Sequence, residues 1–240
     1  MSIVRRAFRA LGTLCFPPHC EACRVSIGVG EYLCPDCALD VQRIVPPFCE
    51  RCSQPFDGAI TQTFTCSNCA EREVHFECAV AACMSRGVVR DFIHAFKYNH
   101  RLHLRHPLAA WLAEALDDRR IAARPFDAFV PVPLHHVRFR EREFNQAEEL
   151  ANLLSQRTGI PVWRDIRRTR YTSTQTKLDR AERMENLREA FRVRHTARVK
   201  DRHLVLVDDV FTTGSTVEEC SRVLLRAGAA SVRVVTVARG

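Results

Sequence analysis

The sequence predicts an α/β domain on a parallel sheet, preceded by a small module held together by metal more than by a hydrophobic core. Three observations predict it. From about residue 78 onward, apolar strand-like runs alternate with amphipathic helical stretches. Eleven of the twelve cysteines lie before residue 84. Residues 15 to 75 are turn-rich and carry few long periodic apolar runs, as expected where metal ligation replaces a core. The expected units are a metal module over 15–75 and the α/β domain over 78–240.

The elements follow in order. CAVAACMS (78–85) reads as a strand, and VVRDFIHAFK (88–97) as a helix with Val88, Phe92, Ala95 and Phe96 on one face. HPLAAWLAEALDD (106–118) reads as a second helix, and DAFVPVP (127–133) as a short strand stopped by its prolines. NQAEELANLLSQRTG (145–159) is helical up to Gly159, and VWRDIRRTR (162–170) reads as a strand with a basic exit. Residues 171–186 are polar without an apolar stripe, which predicts a mobile loop leading into a short helix. HLVLVDD (203–209) is a near-continuous apolar run of the kind that parallel sheets bury on both faces. STVEECSRVLLRAGA (215–229) is an amphipathic helix capped by Gly228, and SVRVVTVAR (231–239) a last strand.

Composition narrows the class. In 240 residues, 46% hydrophobic and 27% charged, no apolar run approaches the roughly 20 residues of a membrane helix. The N-terminus has a broken apolar stretch and no small-residue cleavage site, which predicts a cytoplasmic chain without membrane insertion. The net charge of +8 is unevenly spread. Residues 1–80 carry 7 Lys and Arg against 9 Asp and Glu, so 81–240 carry 29 against 19. Only Lys97, Lys177 and Lys200 are lysines. Arginine suits bidentate phosphate contacts, which points to phosphate-bearing partners.

Eight cysteines form four Cys-x2-Cys knuckles: Cys20/Cys23, Cys34/Cys37, Cys49/Cys52 and Cys66/Cys69. Two knuckles complete a tetrahedral zinc shell with no open position, so two structural Zn2+ ions are expected. Sequential and interleaved pairings both satisfy the spacing. Cys15, Cys78 and Cys83 lack a partner at knuckle spacing and read as small buried residues.

The chemistry lies in LVLVDDVFTTGST (204–216). Ligands of a parallel sheet bind at the carboxyl ends of its strands, where Asp208 and Asp209 fall. Backbone N–H groups and hydroxyls of Thr212, Thr213, Ser215 and Thr216 then lead into a helix N-terminus that favours an anion. Gly214 permits close approach of backbone to phosphate. An acid pair for a diol beside a phosphate cradle describes a site for a ribose 5-phosphate. Neither GxxxxGK[ST] nor GxGxxG occurs.

That stretch resembles the phosphoribosyl pyrophosphate signature of type I phosphoribosyltransferases. PVPLHHVRFREREFNQAEELA (131–151), QTKLDRAERMENLREAF (175–191) and IHAFKYNHRLHL (93–104) are similar to further segments of the ComF family of competence-associated phosphoribosyltransferase-like proteins. The resemblance covers almost the entire chain. It implies a type I phosphoribosyltransferase fold joined to a double zinc ribbon. It also implies roles: Val207, Asp208 and Asp209 would contact the phosphoribosyl group, the two acids holding the ribose hydroxyls at the catalytic centre, with Mg2+ bound mainly through pyrophosphate and water. Thr212 to Thr216 would hold the 5-phosphate. Pro131, Val132 and Pro133 would begin the loop that meets pyrophosphate, near Arg138, Arg140 and Arg142. Gln175, Lys177 and Arg183 would lie on a closing segment.

One departure stands out. Glu143 occupies a position that is glycine in the family's RGFNQ segment, placing a carboxylate and a Cβ where unusual dihedrals are expected. Three functions follow from these readings. The chain is a transferase of phosphoribose to an acceptor, a non-enzymatic factor handling single-stranded DNA alongside competence proteins, or a sensor of phosphoribosyl pyrophosphate. Three arginine clusters, 138/140/142, 164/167/168/170 and 192/194/198/202 with Lys200, favour the second, with Phe139, Phe144, Tyr171 and Phe191 as stacking candidates.

Overall fold

Four parallel strands in the order β1-β6-β5-β2 carry the C-terminal domain. In chain order they are β1 (Ala79–Met84), β2 (Ala128–Pro131), β5 (His203–Phe211) and β6 (Ser231–Arg239). The structure is a computed structural model and describes residues 17–58, 62–71, 73–170, 187 and 189–240. The segment 171–186, with its expected loop, lies outside the described residues, as do Cys15 and Tyr171.

The near-continuous apolar character of β5 follows from burial on both sides. Val205 and Val207 enter one core with α3 (Gly87–Tyr98), α4 (Arg105–Glu114) and α7 (Gln146–Thr158). Leu204 and Leu206 enter a second core with α9 (Ser215–Arg226). Each face is thus covered by helices, as a parallel sheet requires. β5 runs two residues past the sequence expectation, to Phe211, because its ladder with β6 continues to Arg239.

Helix ends obey local rules. Asn145 Oδ1 accepts from the Ala147 N–H at 3.1 Å and starts α7, while its Nδ2 donates to the Val132 carbonyl at 3.0 Å, tying the helix to the exit of β2. α9 ends in a Schellman arrangement: Ala229 N–H reaches Leu224 O at 3.1 Å, and Gly228 N–H reaches Leu225 O at 2.9 Å.

Three elements depart from the sequence reading. Residues 162–170 are not one strand: Trp163 runs beside β2, and only β3 (Ile166–Arg168) is a strand, pairing antiparallel with β4 (Phe191–Val193) outside the main sheet. The stretch after the PVP prolines forms α6 (His136–Arg142). The 106–118 helix stops at Glu114, and α5 (Arg119–Ala122) begins on an Asp118 side-chain cap.

The cysteine module contains two short helices, α1 (Pro35–Leu39) and α2 (Ser67–Ala70). It covers the free edge of β1: Ala79 N–H donates to Arg51 O at 2.7 Å, Ile44 N–H to Ala82 O at 3.0 Å, and Met84 N–H to Gln42 O at 2.8 Å. An edge strand is thereby closed against foreign pairing. α8 (Thr196–Val199) joins β4 to β5. No helix among the described residues is long and apolar enough to cross a membrane.

Candidate functional site

The cysteines group sequentially. Cys20, Cys23, Cys34 and Cys37 form one cluster, Cys49, Cys52, Cys66 and Cys69 the other, each with its sulfurs within 4.8 Å of one another. The Sγ separations of 3.7 Å for Cys23–Cys34 and for Cys52–Cys66 match the roughly 3.8 Å edge of a tetrahedral zinc–thiolate shell. Backbone donors already aim at sulfur, Cys37 N–H at Cys34 and Cys66 N–H at Cys49, both 3.4 Å. The Cys49 thiol is pulled far down by hydrogen bonds from Cys52 and Cys69. All-sulfur sets without an open position suit structural zinc. The second cluster is wholly buried, whereas Cys23 of the first is exposed. Cys78 and Cys83 are buried outside both clusters, and burial pushes their thiols up, to about 12 and about 11.

In the α/β domain, the side-chain alternation of a strand separates the two acids. Asp209 follows Val205 and Val207 onto the α3 side, where its Oδ2 accepts from Lys97 Nζ at 2.8 Å. Asp208 follows Leu204 and Leu206 onto the α9 side, and its Oδ1 accepts from the Asp209 N–H at 2.9 Å. Burial, then the adjacent Asp209 charge, pushes Asp208 up to about 7, against the pull of Lys97 and Arg142.

Beyond Asp208 the chain turns at Gly214, whose φ is +78°. A Cβ there would stand 2.4 Å from Phe211 Cζ, so both dihedral and space exclude a side chain. The turn sets Thr213 Oγ1 2.9 Å from Ser215 Oγ and starts α9. Asp208, Thr212, Thr213, Gly214, Ser215 and Thr216 line one small cleft. A second cleft of about 320 Å3 lies behind this loop, between Thr212, Thr213 and Arg239 on one side and Cys52, Asn68 and Cys69 on the other.

The remaining candidates divide. Val207 is fully buried core, and its carbonyl accepts from the Val132 N–H at 3.0 Å. Pro131 is buried, and both backbone groups of Val132 have protein partners. Arg142 approaches the acids from α6; its Nη1 donates to Gln146 Oε1 at 2.9 Å, and its guanidinium lies 4.9 Å from the centre of the Tyr98 ring. Arg140 is exposed on the same helix. Gln175, Lys177 and Arg183 lie outside the described residues. Glu143 ends α6 at φ +67°, the conformation glycine would take, with its exposed carboxylate 3.5 Å from His100 Nδ1. The basic side chain beside it is thus His100, not Arg140 or Arg142. Of the aromatics, Phe144 packs on Phe96 and Phe191 is core, while Phe139 is 47% exposed.

Lys97 lies in the 93–104 segment, to which sequence reasoning assigned no role; that it is the only lysine between residues 1 and 176 was the available signal. Arg233 and Arg239 show that part of the basic count is internal: both are buried and donate to backbone carbonyls, including Ile121 and Phe211 respectively.

The same two units are found in known proteins. The profile of the phosphoribosyl transferase domain matches residues 145–240, and that of the double zinc ribbon domain matches residues 11–70. DNA utilization protein YhgH of Escherichia coli (strain K12) is 34% identical over 226 residues, covering 92% of this chain and 96% of that protein. Competence protein F of Haemophilus influenzae is 31% identical over 228 residues, with the same shares of 92% and 96%. Among solved structures, glutamine phosphoribosylpyrophosphate (PRPP) amidotransferase from B. subtilis is 22% identical over 59% of this chain and 30% of its own, with a TM-score of 0.39. The α/β domain has the type I phosphoribosyltransferase fold, and the cysteine module is a double zinc ribbon.

Proposed function

We propose, because the chain belongs to the family of competence protein F and DNA utilization protein YhgH, that its α/β domain binds phosphoribosyl pyrophosphate, or a related ribose 5-phosphate, and transfers the phosphoribosyl group to an acceptor nucleophile. The observation that carries this reading is the Gly214 turn, which gathers the donors of Thr212 to Thr216 around one cleft with the Asp208 carboxyl at its edge.

The 5-phosphate would sit at the α9 N-terminus, beside the backbone N–H groups of its first turn and the Thr213, Ser215 and Thr216 residues that line the cleft. Asp208 would accept from a ribose hydroxyl. Asp209, fixed by Lys97, would hold the strand end in place and align Asp208 through its N–H. Since Lys97 and the Asp209 N–H already engage these carboxylates, the two acids form no dedicated cation cage, and Mg2+ would be held mainly by pyrophosphate oxygens and water. Bound there, Mg2+ would neutralise charge on the departing pyrophosphate. In the transfer, the bond from the anomeric carbon to pyrophosphate breaks, a bond to the nucleophile forms, and the nucleophile releases its proton. Arg142, whose charge already pulls on Asp208, would stabilise charge moving onto the leaving group.

The experiment is pyrophosphate release from phosphoribosyl pyrophosphate and Mg2+ over a panel of bases and amines, with Gly214→Ala as control. Acceptor-dependent release by the wild type, lost in the variant, is the expected result. Binding without release for every acceptor would make the protein a sensor.

A second reading, handling of single-stranded DNA in competence, is favoured by the names of the relatives and by exposed arginines that lack acidic partners among the described residues, Arg167, Arg192 and Arg194 among them. In this reading the chain acts with competence proteins, and the phosphoribosyl site serves regulation or substrate handling.

A further inference from the structure

Arg167 of β3 and Arg192 of β4 stand directly opposite each other in the antiparallel ladder. Both are exposed, and among the described residues neither has a carboxylate partner. Like charges directly across a ladder repel, so an acid at either position would strengthen the ribbon. The arrangement therefore makes sense where something anionic lies between the two guanidiniums.

The rest of the ribbon is built around that face. On its underside, Ile166 and Phe191 are buried in the core shared with α9, so the pair is held outward on a fixed base. Cationic charge continues past β4 with the exposed Arg194 and Arg198. Asp165 organises this continuation from beneath. It is buried, its carbonyl accepts from the Arg194 N–H at 2.6 Å, and its carboxylate meets His195 Nδ1 at 2.7 Å and Arg198 Nη1 at 3.6 Å. Arg198 in turn lies 4.5 Å from the centre of the half-buried Trp163 ring. The Asp165 carboxylate is thus engaged inside the face, and the surface presents guanidinium.

We propose that the outer face of the β3–β4 ribbon grips the phosphodiester backbone of single-stranded DNA, with a phosphate seated between Arg167 and Arg192. Opposed side chains on a ladder start about 5 Å apart, a gap that one phosphate bridges with bidentate contacts to both forks. Arg194 and Arg198 take the next phosphate. The proposal rests on the DNA-handling reading and is independent of the phosphoribosyl cleft.

The test is binding of a fluorescent oligothymidylate to the full-length, zinc-loaded protein across a salt series, alongside thermal unfolding. Variants are Arg167→Glu, Arg192→Glu and the double Arg167→Gln/Arg192→Gln, with Arg90→Glu on α3 as a control of equal charge change. The expected result for each ribbon variant is affinity roughly 10-fold weaker at low salt and a log–log salt slope shallower by about 0.7 for each phosphate that the ribbon no longer neutralises. The two Glu variants should keep or raise the unfolding temperature, which a merely structural role for these arginines would not allow. Ribbon variants that bind like Arg90→Glu overturn the assignment while leaving DNA handling intact. Absence of binding by the wild type at low salt overturns DNA handling itself. Tighter binding of duplex than of single strand overturns the single-strand assignment.

Discussion

Lys97 Nζ lies 2.8 Å from Asp209 Oδ2, with only 20% and 8% of the two side chains exposed. This contact ties the end of α3 to the strand that carries both acids, and it divides labour between them. Asp209 is neutralised in place, while Asp208 faces the cleft. Lys97→Met leaves a buried carboxylate unpaired and is expected to cost about 3 kcal/mol in urea unfolding. Adding Asp209→Asn should recover part of that loss. A double variant that is less stable than Lys97→Met would contradict the pairing.

Glu143 carries a positive φ without being glycine. Left-handed backbone costs a side-chain-bearing residue about 1 kcal/mol or more, partly offset by the unfolded-state entropy of glycine. Glu143→Gly should therefore stabilise the chain by about 0.5 kcal/mol, seen as a rise of roughly 1–2 °C in thermal unfolding. A fall would mean that the Glu143–His100 contact outweighs the strain.

The two cysteine clusters should differ in consequence. Total zinc near two per chain is expected, since each set of four thiols is complete. Cys69→Ser removes a ligand buried against the sheet and beside Thr212 and Thr213, so it should lose one zinc, lower the unfolding temperature strongly and weaken ribose phosphate binding. Cys23→Ser, at an exposed position, should lose one zinc with a smaller change in stability and unchanged binding. Equal effects in metal analysis and thermal unfolding would contradict this asymmetry.

Asp208 gives the site a pH dependence. Its carboxyl, raised by burial and by Asp209 to about 7, holds its proton more tightly folded than unfolded, where about 3.9 is ordinary. Its contribution to stability is thus full below about pH 4 and is lost as pH rises through about 7. Binding runs the other way, because a ribose hydroxyl needs the ionised carboxylate as acceptor. Affinity for ribose 5-phosphate should rise between about pH 6 and about pH 8 in the wild type, and less so in Asp208→Asn. The ligand's own ionisation is common to both, so parallel profiles would remove Asp208 from the site.

Much of the molecule was legible in its residues. Knuckle spacing announced two zinc sites, though only the fold could decide that pairing is sequential. The apolar run of β5 announced a doubly covered strand. What escaped was set by contacts distant in sequence. Strand alternation sends Asp209 to Lys97 across the sheet, a partner over a hundred residues away. β3 stands apart from the main sheet because its ladder partner, β4, lies beyond residue 190. α6 follows a proline-rich exit and lacks a buried residue, so periodicity gave no helical stripe. The glycine position in the loop that Glu143 fills was recognisable from the family pattern, and Glu143 takes there a positive φ that glycine adopts without strain.

The most direct test of the central claim is calorimetric titration of phosphoribosyl pyrophosphate with Mg2+ into the wild type, Asp208→Asn and Gly214→Ala, each checked for intact fold and zinc content. The cleft predicts saturable binding at one site per chain in the wild type, at least 10-fold weaker in both variants, equivalent to about 1.4 kcal/mol or more. Absence of binding by the wild type, or equal binding by all three proteins, would contradict it.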